Sequence, residues 1–209
     1  MQNPILKALD FRHACKVFDE NKKIPKEELH TILESGRVSP SSFGMEPWKF
    51  LVIQNQELKA KLRPVCWDQV QITSCSDLVI ILASIEDVKP ESGYVEKMFF
   101  RRDMPAEQKA FYLDIYASHL ADTLSSDKNV LAWTARQCYI AASNMMTTAA
   151  SLGIDSCPIE GFDKEGVEAI LELDTSKHQL AMVLPFGYRV NEQSTQLRRD
   201  FEDVVEFIS

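Results

Sequence analysis

The sequence predicts a single α/β or α+β unit. At 209 residues the chain has a routine length for one such domain. Three short apolar runs, Phe50 to Ile53, Leu78 to Ala83 and Leu180 to Leu184, read as buried strands. Longer segments with apolar residues at helical spacing lie around them, and neither an internal repeat nor a domain-breaking linker intervenes. Residues 1–209 are accordingly treated as one domain.

Pro4 to Phe11 opens as a short helix, with Ile5, Leu6 and Leu9 at helical spacing. Arg12-His13-Ala14-Cys15-Lys16 follows and places three potentially cationic groups within five residues. If extended, this stretch sets Arg12, Ala14 and Lys16 on one face, by the period of two. Two cations projecting together suit an anion; a solvated basic turn is the other reading. Pro25 to Arg37 is a second helix. Pro25 suits its first turn, Glu27 and Glu28 complement the N-terminal dipole, and Leu29, Ile32 and Leu33 form its apolar stripe.

Ser39-Pro40-Ser41-Ser42-Phe43-Gly44-Met45-Glu46-Pro47-Trp48 then leads to the first strand, with a composition odd for a connector. Pro40 and Pro47 stiffen it, and Gly44 permits a backbone conformation that other residues rarely adopt. Ser39, Ser41 and Ser42 supply compact hydroxyls, while Phe43, Met45 and Trp48 are more apolar than a solvated loop requires. The loop suits a flat polar ligand, or a turn whose aromatics pad the core.

Gln56 to Leu62 reads as helix. Trp67 to Ile72 mixes polar and apolar residues ahead of Leu78 to Ala83, whose unbroken apolarity suggests a central strand. Residues 86–104, with Pro90, Gly93 and many charges, read as an exposed excursion. Phe99-Phe100-Arg101-Arg102 within it suggests partner contact, substrate contact or simple docking. Ala106 to Leu124 is helical.

The helix from about Asp127 to Leu152 carries two apolar seams, Leu131-Thr134-Cys138-Ala141-Met145 and Val130-Trp133-Gln137-Ile140, so more than one face is buried. Small residues from Ala141 to Ala150 let another helix approach closely, which points to a central helix at a subunit interface. Gly153 suits the C′ position, and Asp163 the N-cap of a helix running to Leu173. Gln179 to Gly187 is the third strand. The tail from Arg198 to Phe207 keeps enough apolar residues to dock.

Composition excludes several functions. A net charge of -8 argues against general nucleic-acid binding, which needs a basic face. No apolar run has the length to span a bilayer, and the first residues lack the pattern of a signal peptide. Five cysteines without a CxxC and four scattered histidines without HExxH spacing favour free thiols in a reducing compartment. A cytoplasmic, metal-free protein with no membrane or nucleic-acid partner is the expectation. Seven glycines, with no GxGxxG and no Walker loop, argue against a dinucleotide on a Rossmann fold.

Five strings occur in order: Arg12-His13 with Lys16 and Phe18; Ser39-Pro40-Ser41-Ser42 with Pro47-Trp48-Lys49-Phe50; Gln137 with Tyr139; Leu152-Gly153; and Pro158-Ile159-Glu160-Gly161-Phe162. Together they resemble the FMN-dependent NAD(P)H nitroreductase family over essentially the whole chain, and Cys15 is similar to oxygen-insensitive members. The resemblance implies an α+β three-layer sandwich, its mixed, mainly antiparallel sheet flanked by helices. It also implies an intertwined homodimer with two FMN molecules in the interface.

By the same resemblance, Arg12, His13, Ala14 and Lys16 belong to the segment that meets the flavin phosphate and pyrimidine edge. Ser39, Ser41 and Ser42 line the cofactor from the partner subunit, and Gln137 joins the cofactor-binding set. Pro158, Ile159, Glu160 and Gly161 lie along the isoalloxazine, with the Glu160 and Gly161 backbone near N5. Arg198 is a phosphate contact, and Asp68 and Gln71 lie near the pyrimidine face. Phe43, Trp67, Phe99 and Phe100 are candidates for the substrate's aromatic face. Residues 86–126 form a variable helical excursion near the substrate pocket.

The implied chemistry is a ping-pong, two-electron cycle in which NAD(P)H is the transient donor and a nitroaromatic, quinone or similar flat molecule the acceptor. The flavin carries the redox chemistry, so no catalytic side chain is singled out. Lys16 near N1 would favour negative charge on the reduced flavin. Cys15, with cationic neighbours, is either a packing residue or a nucleophile. Four positions depart from the family pattern: Ala14 for serine, Glu46 for glutamine, Asp68 for asparagine and Gln196 for lysine. Each removes a donor or cation or adds negative charge, which predicts looser FMN binding and keeps open a non-catalytic flavin- or partner-binding protein on the same scaffold.

Overall fold

The computed structural model describes residues 3–208, the side chains of Asp122 and Thr123 excepted. Strands β1 (Trp48–Ile53), β2 (Asp77–Ser84), β3 (Asp155–Ser156) and β4 (His178–Gly187) form one sheet in the order β1-β2-β4-β3. All pairings between these strands are antiparallel. The parallel component of the expected mixed sheet is a bridge between Ala14 and Ser156.

β2 is buried along its whole length because helices cover both faces, which is why it reads as an unbroken apolar run. Leu78, Ile80 and Leu82 enter one core, and Val79, Ile81 and Ala83 the other, by the strand's period of two. On β4 the register slips: Met182 opposes Ile81 and Leu180 opposes Leu82, leaving Ala181 as an extra residue. This bulge turns Ala181 and Met182 into the same core.

The helices are α1 (Pro4–Phe11), α2 (Lys26–Arg37), α3 (Gln56–Val65), α4 (Gln71–Ser74), α5 (Gly93–Phe100), α6 (Ala106–Thr123), α7 (Asp127–Ser151) and α8 (Lys164–Ile170). Residues of α3, α4 and α8 pack on one face of the sheet, and those of α2 and α7 on the other. The result is the expected three layers. α7 is buried on more than one side, with Val130 and Trp133 in one cluster and Cys138, Ala142 and Met145 in another. It approaches α2 so closely that a Cβ on Gly36 would lie 2.0 Å from Met145 Cε.

Several local expectations change. The excursion is packed rather than exposed: Val95, Met98 and Phe99 of α5 and Tyr116 and Leu120 of α6 build a third core with Ile85. Part of the mixed stretch before β2 is the short helix α4. Asp163 occupies the N-cap of α8, but its side chain makes no capping bond, and the helix ends at Ile170 rather than Leu173. Gly153 takes the left-handed conformation expected after α7, with φ +75°. The apolar residues at the end of the tail stay uncovered by their own chain, with Phe207 86% and Ile208 92% exposed. Among the described residues no helix is long and apolar enough to cross a membrane.

Gly187 closes β4 where a Cβ would meet Phe18 Cδ1 at 2.8 Å, and the Phe18 ring is itself buried. Gly187→Ala is expected to cost roughly 1–3 kcal/mol by overpacking. Urea denaturation should show a lower midpoint with the slope unchanged.

Candidate functional site

The segment after α1 is extended, held by the Ala14–Ser156 bridge and by the Cys15 N–H donating to Ser156 O at 3.1 Å. The period of two follows: Cys15 points into the core while Ala14 and Lys16 face outward. Lys16 Nζ lies 3.8 Å from Cys157 Sγ, which Gln71 Nε2 also approaches at 3.8 Å. Gln71 donates in turn to Gln69 Oε1 at 2.9 Å, and Gln69 Nε2 to the Gly161 carbonyl at 2.8 Å. One polar thread therefore runs from Lys16 to Gly161.

Asp155 fixes the start of this segment. Its buried carboxylate accepts from Arg189 Nε at 2.8 Å and from the Arg189 backbone N–H at 2.9 Å. Arg189 also donates to Phe11 O at 3.1 Å, and its guanidinium lies 4.1 Å over the Phe11 ring. His13 Nδ1 stands 3.6 Å from Asp155 Oδ1. Burial first, then the Arg189 charge, push the His13 pKa below its ordinary 6.5, against the pull of Asp155. At neutral pH, His13 thus offers ring nitrogens rather than a charge.

The tail returns to the same place. Gln196 Nε2 donates to Asp10 O at 2.7 Å and Arg12 O at 2.6 Å, while its Oε1 accepts from Arg198 at 2.7 Å. Arg198 is thereby fastened to the Arg12 segment. A cavity of about 180 Å³ opens alongside, its lining including His13, Ala14, Lys16, Arg189, Asn191, Ser194 and the carboxylate-bearing Glu192. It has room for a phosphate-sized anion and not for a large ring system.

At the far end of the thread, Ile159 is anchored in the core and exchanges backbone bonds with Val183. Its neighbours are left as donors: among the described residues the N–H groups of Glu160 and Gly161 donate to no protein acceptor. Ser156 Oγ is buried without a partner, and His13 Nδ1 makes no hydrogen bond. Trp67, 71% exposed, packs so tightly on Gly161 that a Cβ there would lie 2.7 Å from the indole. Trp67 and Asp68 both hold left-handed backbone, with φ 55° and 52°. Such strain collects at ligand sites. Tyr139 donates to Glu160 Oε1 at 2.5 Å.

The serines lie elsewhere. The Ser42 N–H donates to Gln137 Oε1 at 2.9 Å, and Asn144 Nδ2 to Ser39 Oγ at 2.8 Å. Ser41 Oγ accepts from the Glu46 N–H at 2.8 Å. Phe43, Gly44 and Glu46 have positive φ, and the excursion straps the loop from outside. Arg102 donates to Phe43 O at 2.7 Å, Tyr94 to Met45 O at 2.8 Å, and Arg101 pairs with Glu46 at 2.9 Å. Gln137 and Tyr139 are two positions apart on α7, a rotation of about 200°. The serine loop and the Pro158–Gly161 segment are therefore held from opposite sides of α7, and among the described residues no hydrogen bond joins them.

Of the aromatic candidates, Trp67 stands against the free donors. Phe43 packs edge-on against Tyr116 with ring centroids 5.1 Å apart. Phe99 is wholly buried beside Tyr112 and Tyr116, whereas its neighbour Phe100 is half-exposed. Cys15 is a packing residue: burial, then Asp155, push its thiol up to about 11, opposite to what an attacking thiolate needs. Arg189, Asp155 and Ser156 were not singled out by sequence. Arg189 had a local signal, a cation just past the third strand; the other two show only through pairing.

A cationic strip, unfilled peptide donors and an exposed indole against them are the features of a protein suited to an anionic, planar ligand. Comparison with known proteins places that class. A family model described as the nitroreductase family matches residues 9–188. Several relatives carry the name "Putative NAD(P)H nitroreductase". The one from Staphylococcus haemolyticus is 43% identical, covering 100% of this chain and 99% of its own. YfkO of Bacillus subtilis is 40% identical, covering 100% and 99%. Among solved structures, a nitroreductase-like protein from Streptococcus mutans superposes with TM-score 0.87 at 19% identity, over 100% of both chains. The "putative nitroreductase" of Exiguobacterium sibiricum, solved in complex with FMN, gives 0.83 at 22% identity, over 100% and 99%. The chain belongs to the nitroreductase family, a family of oxidoreductases.

The lowered His13 pKa has a sign that can be tested. Below about pH 6.5 the unfolded chain takes up a proton that the folded ring refuses, so stability falls as the pH drops through that value. His178, shifted the same way by burial, adds to the slope. Denaturation between pH 7.5 and 5 should show this loss in the native protein and a smaller one in His13→Gln.

Proposed function

We propose that this chain is an FMN-dependent oxidoreductase that takes electrons from NAD(P)H and passes them, two at a time, to a flat acceptor such as a nitroaromatic or a quinone. The observation that carries this reading is the pair of free N–H groups at Glu160 and Gly161, joined by a polar thread to Lys16. The residues present fit FMN. Arg12, Lys16 and Arg198 supply positive charge for a phosphate and a polar ring edge. The free N–H groups, Ser156 Oγ and His13 Nδ1 are polar atoms lacking partners. That a similar fold from Exiguobacterium sibiricum was solved with FMN supports the assignment.

FMN, when bound, supplies the hydride and electron transfer. The chain's own residues hold and bias. Lys16, whose one hydrogen-bond contact among the described residues is a weak one to the Cys157 thiol, would place positive charge beside a cofactor that becomes more negative on reduction. Gln71 and Gln69 brace the Gly161 peptide, and the Trp67 indole forms a flat wall against which donor and acceptor could lie in turn. One wall used twice is what a ping-pong cycle needs.

The rest of the bed comes, on this reading, from a second copy. Ser39, Ser41 and Ser42 are held on the other side of α7 from Gly161 of their own chain, and in a homodimer they would line the partner's cofactor. Exposed Ile5, Leu6 and Leu9 on α1, Ile140 on α7 and Phe201 and Phe207 in the tail give such a dimer its apolar surface. Residues 86–126 would border the substrate pocket, because Arg101 and Arg102 strap the serine loop. Five free cysteines suit a cytoplasmic location.

The absorption spectrum of the purified protein, before and after anaerobic NADPH, tests the reading. Flavin bands that bleach are expected; a preparation that stays colourless after FMN is added overturns it. Lys16→Ala should keep FMN and lower its midpoint potential by roughly tens of millivolts, the effect of losing one nearby charge in a partly solvated site. An unchanged potential would remove Lys16 from that role.

A further inference from the structure

Tyr139 is an α7 residue with a hydroxyl that a purely apolar contact would not require. It is half-exposed, yet its phenol donates to the Glu160 carboxylate at 2.5 Å, across 21 positions of sequence. Glu160 itself is exposed and has no basic partner among the described residues. A lone surface carboxylate ordinarily stays in water, where a single neutral hydrogen bond adds little. Here it hangs from the residue whose own N–H, with that of Gly161, is left unfilled. The carboxylate carbon is four bonds from the Glu160 nitrogen and five from that of Gly161, which makes the group a competing anion for both. Held by Tyr139, it does not bond to them; released, it can turn back and occupy them. Burial, then Glu160, push the Tyr139 phenol upward, so it keeps its proton and remains a donor.

We propose that Tyr139 is a positioning residue for the cofactor bed: its phenol holds the Glu160 carboxylate on α7, keeping the Glu160 and Gly161 N–H groups open and the carboxylate's charge away from the ring they would meet. The inference rests on the FMN reading above and deepens it. It also gives α7 a second link to the bed. Gln137 fixes the serine loop on one side, and Tyr139 fixes the carboxylate on the other.

The test is a double-mutant cycle read by binding and potential. Tyr139→Phe keeps the ring and removes the O–H. It should weaken FMN binding about tenfold, the worth of about 1.4 kcal/mol, and move the midpoint potential negative as the freed charge approaches. Glu160→Ala removes the competitor, so adding Tyr139→Phe to it should change neither quantity. Thermal melting separates a packing role, which would lower stability in both backgrounds and leave the potential alone. Tyr139→Phe with native affinity and potential overturns the inference while leaving the FMN reading intact. So does an effect of the same size in the Glu160→Ala background, because the phenol would then act without Glu160. Native protein that takes up no FMN fails at the earlier step and overturns both.

Discussion

Helix α7 is deprived of water along most of its circumference, and much of the candidate site follows from that. A buried amide without a partner costs roughly 1–3 kcal/mol, so each polar side chain on such a helix must find a bond close by. Gln137 and Asn144 find theirs in the serine loop, at the Ser42 N–H and Ser39 Oγ. Thr134, wholly buried, bonds back to Val130 O at 2.9 Å. Tyr139, on the side left open, reaches Glu160. One rigid helix thus sets the position of two loops far apart in sequence, and it sets them on opposite sides of itself. In the proposed homodimer, a single chain so arranged would carry half of each of two beds.

Asp155 is the second fixed point. A carboxylate this deeply buried is tolerable only when its oxygens are filled, and Arg189 fills them from backbone and side chain together. The same guanidinium bonds Phe11 O, so the end of β4, the short strand β3 and the segment after α1 are drawn to one point. Arg12 and Lys16 owe their placement to this clamp. Burial, and then the Arg189 charge, keep the neighbouring His13 neutral, which leaves the segment with cations at its two ends and a neutral ring between them.

The strands and helices were legible because burial on both faces of β2 and on several faces of α7 leaves long apolar signatures that need no knowledge of partners. The extended Arg12–Lys16 segment follows the period of two, with Cys15 buried between outward Ala14 and Lys16. What stayed hidden depends on pairing across the sequence. β3 has two residues and exists only because Gly187 and Phe186 lie opposite them. The third core forms because α5 and α6 find Ile85 and Met45, which no local pattern announces. The tail looked able to dock through its apolar residues; it is held instead by the Gln196 amide, and Phe201 and Phe207 stay exposed.

The departures from the family pattern show how a residue type can mislead when its surroundings are unknown. Gln196, in place of a lysine, looks like a lost cation, yet its amide binds the backbone at Asp10 and Arg12 and brings Arg198 to them. Glu46 looks like an added negative charge, but Arg101 of the excursion matches it. Asp68 holds a left-handed backbone, which aspartate and asparagine tolerate better than most residues, so the turn beneath Trp67 survives the exchange. Ala14 has no such compensation: it faces outward between Arg12 and Lys16, where a hydroxyl would have stood. Looser FMN binding is therefore expected chiefly from Ala14 and from the Asp68 charge, while the cations and peptide donors that remain favour the catalytic reading over the binding-only one.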